Sequence, residues 1–240
     1  SKLLAPDVTV ICRAESHDSQ ANIASFGTDH IINPYDRFAE RFAMMFQSPG
    51  MYLVYEWMTS SQQAPLTKFS APPKGTWIIC GYGRFGKAMQ KSLSFKGIRT
   101  IIIELDTEGT NAPEGTIKGR GTEAITLHEA GIEYADGLIA GTDDDGNNLS
   151  IIMTASHLNK NLFTVARQNI SSNDAIFAAA DIDVTMLPGR LIGKQIIDML
   201  TTPLLTDFLH LAIMQNEEWA NLLVSRVVGV LTDRPPESWA

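Results

Sequence analysis

Short apolar runs recur along the chain, each followed by a polar break and then a longer stretch whose apolar positions fall three or four apart. The run from Trp77 to Cys80 suits a strand covered on both faces. After three glycines, a helix is expected from Phe85 to about Lys96. The string "RTIIIELD" reads as the next strand and "GTIKGRG" as a short third one. "EAITLHEAGI" reads as a helix closed by Gly131, and "ADGLIAG" as a fourth strand. The pattern then repeats: "GNNLSIIMTASHLN" helix, "LFTVARQ" strand, "SNDAIFAAA" helix, "DVTML" strand. Strands that alternate with helices in this way predict a parallel, doubly wound α/β sheet, with any ligand at the carboxyl ends of the strands.

Two further stretches are too apolar for free helices. In residues 190–213, Leu191, Ile192, Ile196, Met199 and Leu200 form a broad stripe, and Pro203 starts a second helix or kinks the first. Residues 38–58 have the same form. Each stretch is read as a helix pair that either packs on the chain's own sheet or serves homo-oligomerisation, and the second reading is preferred. The tail from Asn216 reads as a helix followed by a short strand.

The likeness of these stretches belongs to an internal repeat. A shift of 154 positions carries Arg13 onto Arg167, Ala21 onto Ala175, Asp29 onto Asp183, Pro34 onto Pro188 and Pro49 onto Pro203 without a gap. A repeat of this length is a strong organising signal. Residues 1–58 are therefore expected to be the second half of a first domain, including its helix pair. Residues 59–75, rich in Ser, Gln and Pro, form a linker. Residues 76–213 form a complete copy, and residues 214–240 a tail or the start of another subdomain. A half-sheet leaves an edge and an apolar face bare, so the first segment is expected to pack on the second or on a partner.

The break after Cys80 carries the chemistry. Gly81, Gly83 and Gly86 give G-x-G-x-x-G directly after a strand and before a helix. The first glycine allows the tight turn, the second admits a diphosphate to the backbone, and the third lets helix and strand approach. Glu104, about 20 residues on, is placed to accept from a ribose hydroxyl pair, and an acid there disfavours a 2′-phosphate. Arg13 and Arg167 close equivalent strands and suit either anion binding or a salt bridge.

Composition narrows the rest. A net charge of −8 leaves no basic stripe for nucleic acid. No apolar run approaches the roughly 18 residues that span a bilayer, and no secretory leader is apparent. Cys12 and Cys80 lie in apolar runs and are read as buried thiols. The five histidines are scattered, without metal-like spacing. In "TDDDGNN" an aspartate is expected to cap the helix beginning near Gly146.

The strings "GYGRFG", "IIIE", "KGRGTEAITLHEAGIEYADGLIAGTDDDGNNL" and "TVARQ", with "VICRAES" and "NIASFGTDHIINP" in the first copy, resemble the RCK or TrkA-N family. These are regulatory nucleotide-binding modules of potassium channels and potassium uptake systems. The resemblance implies a Rossmann-like domain that binds NAD(H) or ATP/ADP, has no catalytic role, and acts on a potassium pore or transporter subunit at the cytoplasmic side of the membrane. It implies that Arg84 contacts phosphate, Glu104 the ribose, and that Thr122 and Thr142 line the pocket. The candidate site comprises Gly81, Tyr82, Gly83, Arg84, Phe85, Gly86, Glu104, Leu105, Arg120, Gly121, Thr122, Gly141, Thr142, Asp143 and Arg167. One departure stands out: the family's usual Gly-Asp-Ala-Thr is Gly119-Arg120-Gly121-Thr122 here, which reverses a charge near the adenine. An NAD-dependent oxidoreductase and a scaffold with a non-functional pocket remain the alternative readings.

Overall fold

The computed structural model describes residues 4–59, 70–212 and 215–231. Most of the linker expected over 59–75, and residues 232–240 of the tail, lie outside the described residues. The chain divides into two compact units, residues 1–40 with 73–192 and residues 41–72 with 193–240.

The larger unit contains a six-stranded parallel sheet. In chain order its strands and helices are β3 (Thr76–Cys80), α4 (Arg84–Phe95), β4 (Arg99–Glu104), β5 (Ile117–Lys118), α5 (Ala124–Glu129), β6 (Gly137–Ala140), α6 (Asp145–Leu158), β7 (Phe163–Arg167), α7 (Asp174–Ala179) and β8 (Val184–Met186). They are ordered β5-β4-β3-β6-β7-β8 across the sheet. The order reverses beside β3, which puts the switch point at the glycine turn. The three central strands are almost wholly buried because helices cover both faces. Ile78, Cys80, Leu138, Ala140 and Ala166 pack with Leu127 of α5 and with Ile151, Ile152 and Ala155 of α6.

Two expected elements are shorter than the sequence suggests. β5 keeps two residues because Gly119 and Gly121 turn the chain away from the sheet. The stretch after β7 opens as a 3-10 turn, Ser171–Asn173, before α7.

The segment ahead of β3 holds β1 (Ile11–Arg13), α1 (His17–Ser25), β2 (His30–Ile32), α2 (Pro34–Gln47) and α3 (Pro49–Thr59). The 154-position shift lays these on the end of the larger sheet and on α8 (Pro188–Thr201) and α9 (Pro203–Ala212). β2 falls on β8 and α2 on α8 at both ends. The register also repeats: Ile11 pairs with His30 as Val165 pairs with Val184. An aspartate closes both pairs. Val10 N donates to Asp29 at 2.8 Å and Thr164 N to Asp183 at 2.7 Å. β1 and β2 form their own two-stranded sheet. Within the larger unit the start of α2 packs on α4, where Phe85 meets the rings of Tyr35 and Phe38 at 6.3 and 5.6 Å.

In the second unit, Met51 and Val54 of α3 cluster with Ala212 and with Ala220 of α10 (Glu217–Leu231). Glu217 caps the start of α3, accepting from Gly50 N at 2.8 Å and from the Ser48 hydroxyl. α10 supplies the helix expected in the tail and takes in the valine-rich run as well. Among the described residues, no helix is long and apolar enough to cross a membrane. Both cysteines are free; Cys80 is buried, whereas Cys12 is only half-buried.

Candidate functional site

Gly81 turns the chain out of β3 with φ +94, a conformation that a side chain disfavours. Its N–H donates to Ile103 O of β4 at 2.9 Å. Gly83 then caps α4 with no side-chain acceptor, so no capping side chain competes with an anion for the first N–H groups of that helix. Gly86 lies so close to the turn that an added Cβ would sit 2.0 Å from Gly81 O.

Beyond the turn lies a cavity of about 350 Å³ at the carboxyl ends of β3, β4, β6 and β7. It is lined by the expected Gly81, Gly83, Arg84, Glu104, Leu105, Arg120, Gly121, Thr122, Gly141, Thr142, Asp143 and Arg167. Segments far apart in sequence thus converge, because parallel strands deliver all their carboxyl ends to one edge.

Three expected residues do not line the cavity. Tyr82 is nearly buried; its hydroxyl meets Gln90, and its N–H donates to Glu104 at 2.5 Å. Phe85 is fully buried against Tyr35 and Phe38. Gly86 is used up by its contact with the turn. In each case the motif position shapes the cavity and does not line it.

Glu104 is held in place by backbone: Tyr82 N donates to one oxygen and Asp106 N to the other at 2.8 Å. Arg84, expected to meet phosphate, lines the cavity but pairs with Glu15 and lies over the Tyr35 ring at 5.6 Å. Glu15 also holds Arg13, so Arg13 is committed to a salt bridge. Arg167 has no carboxylate partner among the described residues. The exposed Arg120 lines the cavity beside Gly121, where a Cβ would strike Cys80 Sγ at 2.6 Å.

Sequence reasoning missed the frame behind this wall. Asn148, fully buried, accepts from Thr142 N at 2.9 Å and donates to Arg167 O at 2.7 Å, joining the ends of β6 and β7. Asp145, 6% exposed, accepts from Asn169 N and its side-chain amide at 2.6 and 2.9 Å. Its other oxygen accepts from Ile170 N at 3.1 Å and the Asn173 amide at 2.7 Å. The expected cap is Asp144, which accepts from Asn147 N at 2.7 Å. Thr110 and Asn147 also line the cavity and were not anticipated. Thr110 comes from the turn after β4 and Asn147 from the exposed face of the first turn of α6, where no hydrophobic period marks them. Among the described residues, no cluster of His, Cys, Asp and Glu could hold a metal ion.

The TrkA-N domain family model matches residues 77–188, the stretch that builds this cavity. Residues 77–188 are a TrkA-N domain. Potassium channel protein 1 of Methanocaldococcus jannaschii is 30% identical to this chain over 148 residues, which is 59% of this chain and 44% of that protein. The Trk system potassium uptake protein TrkA homolog of Pyrococcus horikoshii is 27% identical over 136 residues, 52% of this chain and 60% of that one. Among solved structures, the GsuK RCK domain superposes with a TM-score of 0.62 at 19% identity, over 80% of this chain and 56% of that one. GsuK has also been solved bound to NAD and bound to ADP. At that identity the likeness shows the fold of the TrkA-N domain and its flanking helices. The chain spans less than two thirds of each of these proteins.

Proposed function

We propose that this chain is a regulatory module that binds NAD(H) or an adenine nucleotide and controls a potassium channel or potassium transporter. The observation that carries this reading is the glycine turn at the start of α4 beside the backbone-held Glu104, both lining one open cavity. That arrangement offers N–H donors and arginine to a diphosphate and a carboxylate to a ribose. The relatives that match it are a channel and an uptake-system protein. On this reading the module is not an enzyme, acts at the cytoplasmic side of the membrane, and signals by differing affinity for two conformations.

The repeat supports a tandem organisation, with residues 1–58 the second half of one such domain and residues 76–213 a complete one. The exposed Ile197 and Leu200 of α8 and Leu204 and Leu211 of α9, each at least 60% accessible, support homo-oligomerisation through the helix pair.

Thermal melts with NAD, NADH, ATP and ADP test the reading. Saturating nucleotide at about 100 times its Kd should stabilise the chain by about 2.7 kcal/mol. Light scattering on the same samples should report a dimer or larger species. No stabilisation by any of the four would defeat the proposal and favour the non-functional pocket.

The pair between Arg84 and Glu15 must break before Arg84 can serve a phosphate. Exposed ion pairs contribute about 0.2–1 kcal/mol, so Glu15→Gln should tighten ADP binding about 1.4- to 5-fold. Calorimetry checks this; unchanged or weakened binding would show that Arg84 does not meet the ligand.

A further inference from the structure

Arg84 is the first residue of α4, directly after the glycine turn, and it lines the cavity. Two groups from the segment before β3 hold it. The Glu15 carboxylate pairs with it, and the centre of the Tyr35 ring lies 5.6 Å from its guanidinium carbon. Glu15 is presented by fixed backbone. Ala14 before it is buried and its N–H donates to Ile32 O at 3.0 Å. Ser16 after it caps α1, its hydroxyl accepting from Ser19 N at 3.2 Å. One carboxylate oxygen meets Arg13 and the other meets Arg84. The internal repeat shows that this position of the fold does not require an acid. The 154-position shift carries Glu15 onto Asn169, whose neutral amide donates to the nearly buried Asp145 at 2.9 Å. In the first copy the equivalent side chain instead reaches the helix that begins at the glycine turn.

A carboxylate and a phosphate make the same demand on a guanidinium, anionic oxygens set against its N–H groups. While Glu15 is on Arg84 that demand is met, and a negative charge stands against the first residue of α4. Negative charge is favoured at a helix N-terminus, so Glu15 and an incoming diphosphate gain from the same place and repel each other. They compete for one side chain. Release of Glu15 costs little. Its side chain is 29% exposed and that of Arg84 53%, so water screens the pair. Glu15 also keeps Arg13 when Arg84 leaves, so no bare acid is created. By linkage the two events oppose each other equally. What Glu15 takes from nucleotide affinity, nucleotide takes from the hold on the junction between β1 and α1.

We propose that Glu15 is an autoinhibitory contact: it occupies Arg84 in place of a phosphate, so that nucleotide binding at the glycine turn loosens the β1–α1 junction of the first copy. This goes beyond the nucleotide-site reading and rests on it. Hydrogen exchange of the whole chain, read by mass spectrometry, tests it. The probe is the tightest binder among NAD, NADH, ATP and ADP, each of which carries a diphosphate. With that nucleotide at saturation, the peptide covering residues 14–26 should exchange about 1.4- to 5-fold faster in the wild type. Glu15→Gln should show the faster exchange without nucleotide and no further rise with it. Calorimetry adds a double-mutant cycle. Glu15→Gln should tighten the nucleotide in the wild-type background and leave its affinity unchanged in an Arg84→Gln background. Arg84→Ala serves as that background if the glutamine variant does not fold. Nucleotide binding with unchanged or slower exchange at residues 14–26 overturns the proposal, as does equal tightening by Glu15→Gln in both backgrounds. No binding of any of the four to the wild type overturns the nucleotide reading itself, and this proposal with it.

Discussion

Gly86→Ala should destabilise the larger unit by about 2–4 kcal/mol, although alanine is the better helix former by about 1 kcal/mol. The added Cβ would stand 2.0 Å from Gly81 O, a backbone atom that cannot rotate aside. Helix α4 would have to lift from the turn, carrying its N-terminal N–H groups out of register with the cavity. Gly83→Ala provides the contrast. No atom lies within 4 Å of a Cβ at Gly83, and its φ of −70 suits any residue. That variant should keep its stability within about 0.5 kcal/mol. Its methyl group stands at the cavity wall, so nucleotide affinity should fall about 10-fold or more. Urea unfolding and calorimetry on both variants separate the two effects. If Gly86→Ala proves as stable as the wild type, the close approach of turn and helix is wrong.

Asp145→Asn should cost about 2–4 kcal/mol, an effect of the same size from a different source. The carboxylate accepts four N–H donors that shape the loop after β7. An amide can accept at one end only, which leaves two donors unmet in a nearly buried place. The same contacts set a pH dependence. Burial pushes the Asp145 carboxyl upward, but the donors from Asn169, Asn173 and Ile170 together outweigh it and hold the pKa below the ordinary value. A depressed carboxyl contributes stability that is complete above its unfolded pKa of about 3.9 and is lost as pH falls through the folded value. The wild type should therefore lose stability below about pH 4 more steeply than Asp145→Asn. Urea midpoints between pH 3 and 6 check this, and parallel curves for the two proteins would remove Asp145 as the cause.

Much of the cavity was legible along the chain because its parts obey local rules. A buried strand followed by spaced glycines can make few shapes besides this turn, and an acid at the next strand's end has one place to stand. The repeat was legible through Asp29 and Asp183 and through the helix-opening prolines, since each does the same local job in both copies. Tyr35 and Glu15 were not legible as neighbours of the site. Their segment precedes the glycine turn by about 50 residues or more, and no periodicity says which face of α4 it will meet.

Asp145 shows the boundary most sharply. Three adjacent aspartates are equivalent by composition, and one of them was bound to cap α6. That role fell to Asp144, whose oxygen reaches Asn147 N. The next residue turns into the loop after β7 and becomes buried, and it does so only because β6 and β7 are neighbours in the sheet.

By itself the sequence determined the elements, their parallel order and the glycine turn, for these follow from hydrophobic period and backbone sterics over short distances. Tertiary structure decided which charges meet. It gave Arg84 and Arg13 a carboxylate in Glu15 and left Arg167 with a phenol, because such pairings depend on which strand ends and loops the sheet brings within a few ångströms.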